Sequence, residues 1–154
     1  MRFLIYGLFF VLSFNYLVLG QGLTGTKTIG VGKNYSTIAL AIADLNNKGV
    51  GSGGITFLID AGHTETFDNE TNGRVTATGT LENPIKFIKT GTGNNPKIIT
   101  QQDVQFTGII EIYGGNYITF DGIDVTENPN NSFYIVSYGY YIRDGFTGNG
   151  SLNN

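Results

Sequence analysis

His63 is the only histidine in the chain, and in Asp60-Ala61-Gly62-His63-Thr64-Glu65 it stands two residues before a carboxylate. Residues i and i+2 share a face of an extended segment, so His63 and Glu65, with Asp60 nearby, have the spacing of a general acid and base. A second histidine and any cysteine are missing from the 154 residues, which leaves the familiar nitrogen and sulfur metal sites without partners. The plainer reading is a solvated pair beside a chain corner. Asp121 and Asp124, in Asp121-Gly122-Ile123-Asp124, are the next candidates, because paired carboxylates serve both glycoside hydrolysis and calcium binding. Aspartate at a corner more often accepts the amides of its own turn. Neither group earns a role, and the sequence predicts no catalytic residue, no metal and no cofactor.

The aromatic run FYIVSYGYYI, residues 133–142, is the binding candidate. Tyr138, Tyr140 and Tyr141 carry flat apolar faces with a hydroxyl at the tip, a chemistry suited to sugar rings or protein surfaces. The competing reading makes alternate members the core of a last strand and lays the rest over a loop. Asn34, Asn69, Asn130 and Asn149 match the Asn-x-Ser/Thr acceptor pattern, but such matches are expected by chance in so Asn- and Thr-rich a chain.

The elements that must position these residues are mostly strands. Glycine is abundant (23) and proline scarce (3), and Asn and Thr separate short β-branched runs, a turn-rich all-β composition. Strands are expected at 55–60, 84–90, 96–100, 109–114, 117–126 and 133–142. Ile55-Thr56-Phe57, Ile85-Lys86-Phe87 and Ile118-Thr119-Phe120 repeat one pattern at spacings of 30 and 33 residues. A period in that range marks stacked units, each covering its neighbour's apolar face. Each Ile and Phe then points inward, while Thr56, Lys86 and Thr119 point out. A corner follows every copy, at Asp60-Ala61-Gly62, Thr90-Gly91 and Asp121-Gly122, where glycine tolerates the sharp turn. This pattern predicts an all-β right-handed parallel β-helix, a solenoid, in preference to an antiparallel sandwich, whose strands recur every 8–12 residues.

One segment departs from the strand pattern. Ile38, Ala41, Ile42 and Leu45 fall at i, i+3, i+4 and i+7, so a single apolar stripe forms if they are helical. Ser36 is the expected N-cap, with Tyr35 and Leu40 as a hydrophobic staple and Lys48-Gly49 as the stop.

Residues 1–20 read as a secretory signal: Arg2, an apolar run from Phe3 to Leu19, then Val18-Leu19-Gly20 as the cleavage pattern. The product then begins at Gln21 and is secreted or held at the cell surface, with no membrane span after signal removal. The second region, 21–154, is one domain. It carries eight Lys and Arg against 12 Asp and Glu, scattered rather than clustered, which argues against a nucleic-acid partner.

The stretch KNYSTIALAIADLNNKGVGSGGITFLIDAG, with NYITFDGIDVT, resembles the amino-terminal part of secreted right-handed parallel β-helix proteins of the pectin-lyase-like superfamily, especially large surface proteins of Bacteroidetes-type bacteria. The resemblance implies that the helix from Ser36 to Asn47 caps the first coil, and that the setting is bacterial and extracellular. None of the superfamily's catalytic motifs is matched. The expected role is therefore structural or adhesive, in contact with a glycan or a cell-surface protein; the alternative is the amino-terminal part of a polysaccharide lyase or glycoside hydrolase whose catalytic coils lie beyond this chain. Residues 21–154 are expected to be incomplete at the carboxyl end and to self-associate through the last coil.

Overall fold

The computed structural model describes residues 21–133 and 135–145. The elements are β1 (Leu23–Ile29), α1 (Ile38–Lys48), β2 (Val50–Asp60), β3 (Thr64–Phe67), a 3-10 turn at Glu70–Gly73, β4 (Arg74–Val75), β5 (Ile85–Thr90), β6 (Lys97–Thr100), β7 (Phe106–Tyr113), β8 (Ile118–Asp121), β9 (Asp124–Thr126) and β10 (Val136–Arg143). They form three sheets, ordered β1-β2-β5-β8, β3-β6-β9 and β4-β7-β10. Every strand pair is parallel. The chain is all-β with parallel sheets, and α1 is the one α-helix among the described residues. After α1 the chain visits the first, second and third sheets in that order three times, so each sheet's next strand is reached by way of the other two.

The Ile-x-Phe repeat sets the register. Ile55 pairs with Ile85 and Ile85 with Ile118; Phe57 pairs with Phe87 and Phe87 with Phe120. The phenyl rings stack at 4.6 Å between Phe57 and Phe87 and at 4.7 Å between Phe87 and Phe120. Phe57 and Phe87 are fully buried, and Lys86 between the inward positions is half-buried. Burial of each such ring stabilises by about 1.5–3 kcal/mol, with about 0.5–1.5 more from ring pairing. A tyrosine meets each end of the stack edge-on, Tyr35 at 5.8 Å from Phe57 and Tyr140 at 5.7 Å from Phe120. Gly62, Gly91 and Gly122, where the chain leaves β2, β5 and β8, have φ of 75°, 80° and 68°, the left-handed region that glycine enters without strain.

The second and third sheets close the core with Phe67, Ile98, Phe106, Ile110 and Ile112. Three strands that the sequence did not announce, β1, β3 and β4, add one strand to each of the three sheets, and the expected strand 117–126 divides at Gly122-Ile123 into β8 and β9. β10 runs from Val136 rather than Phe133. Asn128 stitches the turn after β9 to buried Thr100: its N–H donates to Thr100 Oγ1 at 3.0 Å and its Nδ2 to the Thr100 carbonyl at 3.1 Å.

α1 buries Ile38, Ala41, Ile42 and Leu45, the four residues of the predicted stripe. Its N-cap is Thr37, not Ser36, and Thr37 Oγ1 accepts the Leu40 N–H at 3.1 Å. The cause is tertiary: the Glu65 carboxylate of β3 takes the N–H groups of Ile38 at 2.6 Å and Ala39 at 3.0 Å, so the first turn opens onto that acceptor. The Tyr35–Leu40 staple does not form, because Tyr35 packs on Phe57 while Leu40 is exposed. At the other end Asn46 donates to the Arg74 carbonyl at 2.7 Å and accepts the Thr76 N–H at 2.9 Å, fastening α1 to β4 of the third sheet. The expected signal, residues 1–20, lies outside the described residues. Among those described, no helix is long and apolar enough to cross a membrane.

Candidate ligand-contact face

The three tyrosines singled out from sequence divide between two environments. Tyr140 edges the phenylalanine column: its ring meets Phe120 and its hydroxyl donates to the Ile123 carbonyl at 2.9 Å, while 41% of the residue stays exposed. Burial, with the Asp124 charge adding to it, pushes its phenol up to about 12. Tyr138, exposed, and Tyr141, half-buried, form a second aromatic pair. Their rings stack at 4.9 Å and 10°, and Tyr138 is 53% exposed. Positions 138 and 141 would lie on opposite faces of a regular strand, so this pairing departs from the simple alternation of β10. Gly108 of β7 makes room beneath it: a Cβ there would lie 2.7 Å from that of Tyr141.

The strip continues into charged residues that sequence reasoning passed over. The Arg143 guanidinium lies 4.4 Å from the centre of the Tyr113 ring and 5.8 Å from that of Tyr141, within cation–π range. Arg143 Nε donates to Glu111 Oε1, and Arg74 Nε donates to Glu111 Oε2. Glu111 is 2% exposed, so both oxygens of a buried carboxylate are occupied by guanidinium groups, one on each neighbouring strand. Arg74 also donates to Glu70 at 3.3 Å. The Thr107 N–H, followed by the charge of Arg74, holds the Glu70 carboxyl below the usual carboxylate range. The one-dimensional signal for this ladder was the placing of Arg74, Glu111 and Arg143 at 37 and 32 residues, close to the Ile-x-Phe period.

The His63–Glu65 pair is brought together, Nε2 to Oε2 at 3.4 Å, with both side chains largely buried. Glu65 is committed to the first turn of α1, which gives it a structural task. The Asp60 carboxylate turns instead toward Lys33 at 3.7 Å. Asp121 and Asp124 are exposed on separate sheets, and Asp124 Oδ1 accepts from Asn95 at 2.9 Å. Among the described residues no cluster of His, Asp and Glu could hold a metal ion, and no buried side-chain nitrogen or oxygen lacks a hydrogen-bond partner. A depression of about 510 Å³ lies beside β9, lined by Thr126, Glu127, Asn128 and Phe133 among others. Its carboxylate, Glu127, is already used: the Ile135 N–H, then the Asn131 amide, hold its carboxyl below the ordinary range.

No protein-family model, curated protein or solved structure matches the chain.

Proposed function

We propose that this chain is an exported, non-catalytic right-handed parallel β-helix that contacts glycan at the cell surface through the strip Tyr138–Tyr141–Arg143–Tyr113. The repeated order of the three parallel sheets supports the β-helix reading, and parallel crossovers are almost always right-handed. The apolar run at residues 3–19 supports export. The observation that carries the contact is the stacked Tyr138–Tyr141 pair, with Tyr138 more than half exposed. Aromatic faces left in water with polar tips are what a sugar ring packs against. A non-catalytic role agrees with the occupied carboxylates of Glu65, Glu70 and Glu111.

Two measurements test this reading. Amino-terminal mass spectrometry of the exported product is expected to find Gln21 first, and an intact Met1 in a membrane fraction would refute export. Incubation with plant and algal polysaccharides, with and without calcium, is expected to release no product. Turnover that disappears in His63→Ala or Asp121→Asn would overturn the non-catalytic reading.

A further inference from the structure

The charges of the tyrosine strip are already matched. Glu111 takes one Nε–H from Arg74 and one from Arg143, and Glu70 takes an Nη2–H from Arg74 at 3.3 Å together with the Thr107 N–H. Two guanidinium groups thus face two carboxylates. β4, β7 and β10 contain no lysine, and exposed Asp144 follows Arg143 directly. A carboxylate or sulfate on a polymer needs an uncommitted cation to repay its desolvation, and this strip offers none in excess. Its open elements are the exposed ring of Tyr138, the phenol hydroxyls, and the edge of Arg143, whose charge Glu111 already pairs and whose side chain is 38% exposed.

We infer that the ligand class of this face is a neutral saccharide, with a sugar ring on Tyr138 and its hydroxyls toward the phenols and the Arg143 guanidinium edge. The inference rests on the glycan-contact reading above and narrows it by excluding acidic and sulfated polymers.

Affinity electrophoresis of the exported chain tests it, using gels cast with galactomannan, xyloglucan or laminarin against gels with polygalacturonate or dextran sulfate, each at low and high salt. Retardation by at least one neutral polymer, unchanged by salt, is expected. Tyr138→Ala should weaken it roughly two- to tenfold. Tyr138 is exposed, so the variant is expected to keep the wild-type circular dichroism. Glu111→Gln, where it folds, uncovers guanidinium charge and should acquire salt-sensitive retardation by dextran sulfate. Retardation by the acidic polymers alone, abolished by salt, would overturn the neutral assignment while leaving glycan contact standing. Undiminished binding in both Tyr138→Ala and Tyr141→Ala would overturn this face as the site. Absence of retardation by every polymer would overturn the glycan reading and this inference together.

Discussion

The carboxylate of Glu65 receives the backbone N–H of Ile38 at 2.6 Å, across 27 residues of sequence. A strand residue thereby does the work of a helix cap, and its negative charge sits where the N-terminus of α1 is partially positive. Thr37 satisfies the Leu40 N–H, and Glu65 satisfies those of Ile38 and Ala39. α1 is thus fastened to the second sheet through the same residue that looked most like half of a catalytic pair.

Glu65→Ala should therefore destabilise the chain by about 1–3 kcal/mol, since two N–H groups lose a charged acceptor in a largely buried place. His63→Ala should cost less. Urea midpoints followed by circular dichroism compare the two, and a larger loss at His63 would show that Glu65 is not the anchor of α1.

Phe87→Ala removes the middle ring of the column, packed at 4.6 Å on one side and 4.7 Å on the other. The expected cost is about 3–5 kcal/mol, against less than about 0.5 for Lys86→Ala next to it. Equal shifts in denaturant midpoint would mean that the inward and outward positions of β5 are misassigned.

Alkaline pH should act on the two tyrosines that meet the ends of that column. Burial is the leading cause that pushes both Tyr35 and Tyr140 up to about 12, with Asp44 adding to it for Tyr35 and Asp124 for Tyr140. The folded chain holds these protons where the unfolded chain, with its ordinary pKa near 10, has begun to release them. Their contribution is fully present below about pH 10 and falls as pH rises toward 12. Ultraviolet titration of the phenolates should find one fewer late-ionising tyrosine in Tyr140→Phe than in the native chain. An unchanged late phase in that variant would contradict the assignment.

Among the described residues β10 lies at the edge of its sheet, and Ile142 on it is 48% exposed. Exposed apolar side chains on an edge strand recruit other chains, and lysine there opposes pairing. Residues 21–154 should therefore self-associate in a concentration-dependent manner, and Ile142→Lys should shift the distribution toward monomer. Light scattering after size exclusion decides this, and a wild-type monomer at all concentrations would count against the edge as a contact.

The amino-acid sequence by itself determined the periodic part of this protein. Ile-x-Phe at 55, 85 and 118 carries its own register, because a strand that buries every second side chain has one alignment that stacks Ile on Ile and Phe on Phe. The glycine after each copy and the apolar stripe of α1 were legible for the same reason: local backbone and periodicity constraints act over a few residues. Strands β1, β3 and β4 were not legible, since a short segment such as Arg74-Val75 becomes a strand only when β7 is present to pair with it. The shift of the N-cap from Ser36 to Thr37 came from Glu65, and the parting of Tyr140 from Tyr138 and Tyr141 came from where Phe120 and Gly108 lie. Glu111 joins Arg74 and Arg143, one guanidinium on each carboxylate oxygen. Such choices depend on partners some thirty residues away in the chain, and only the tertiary structure brings those partners together.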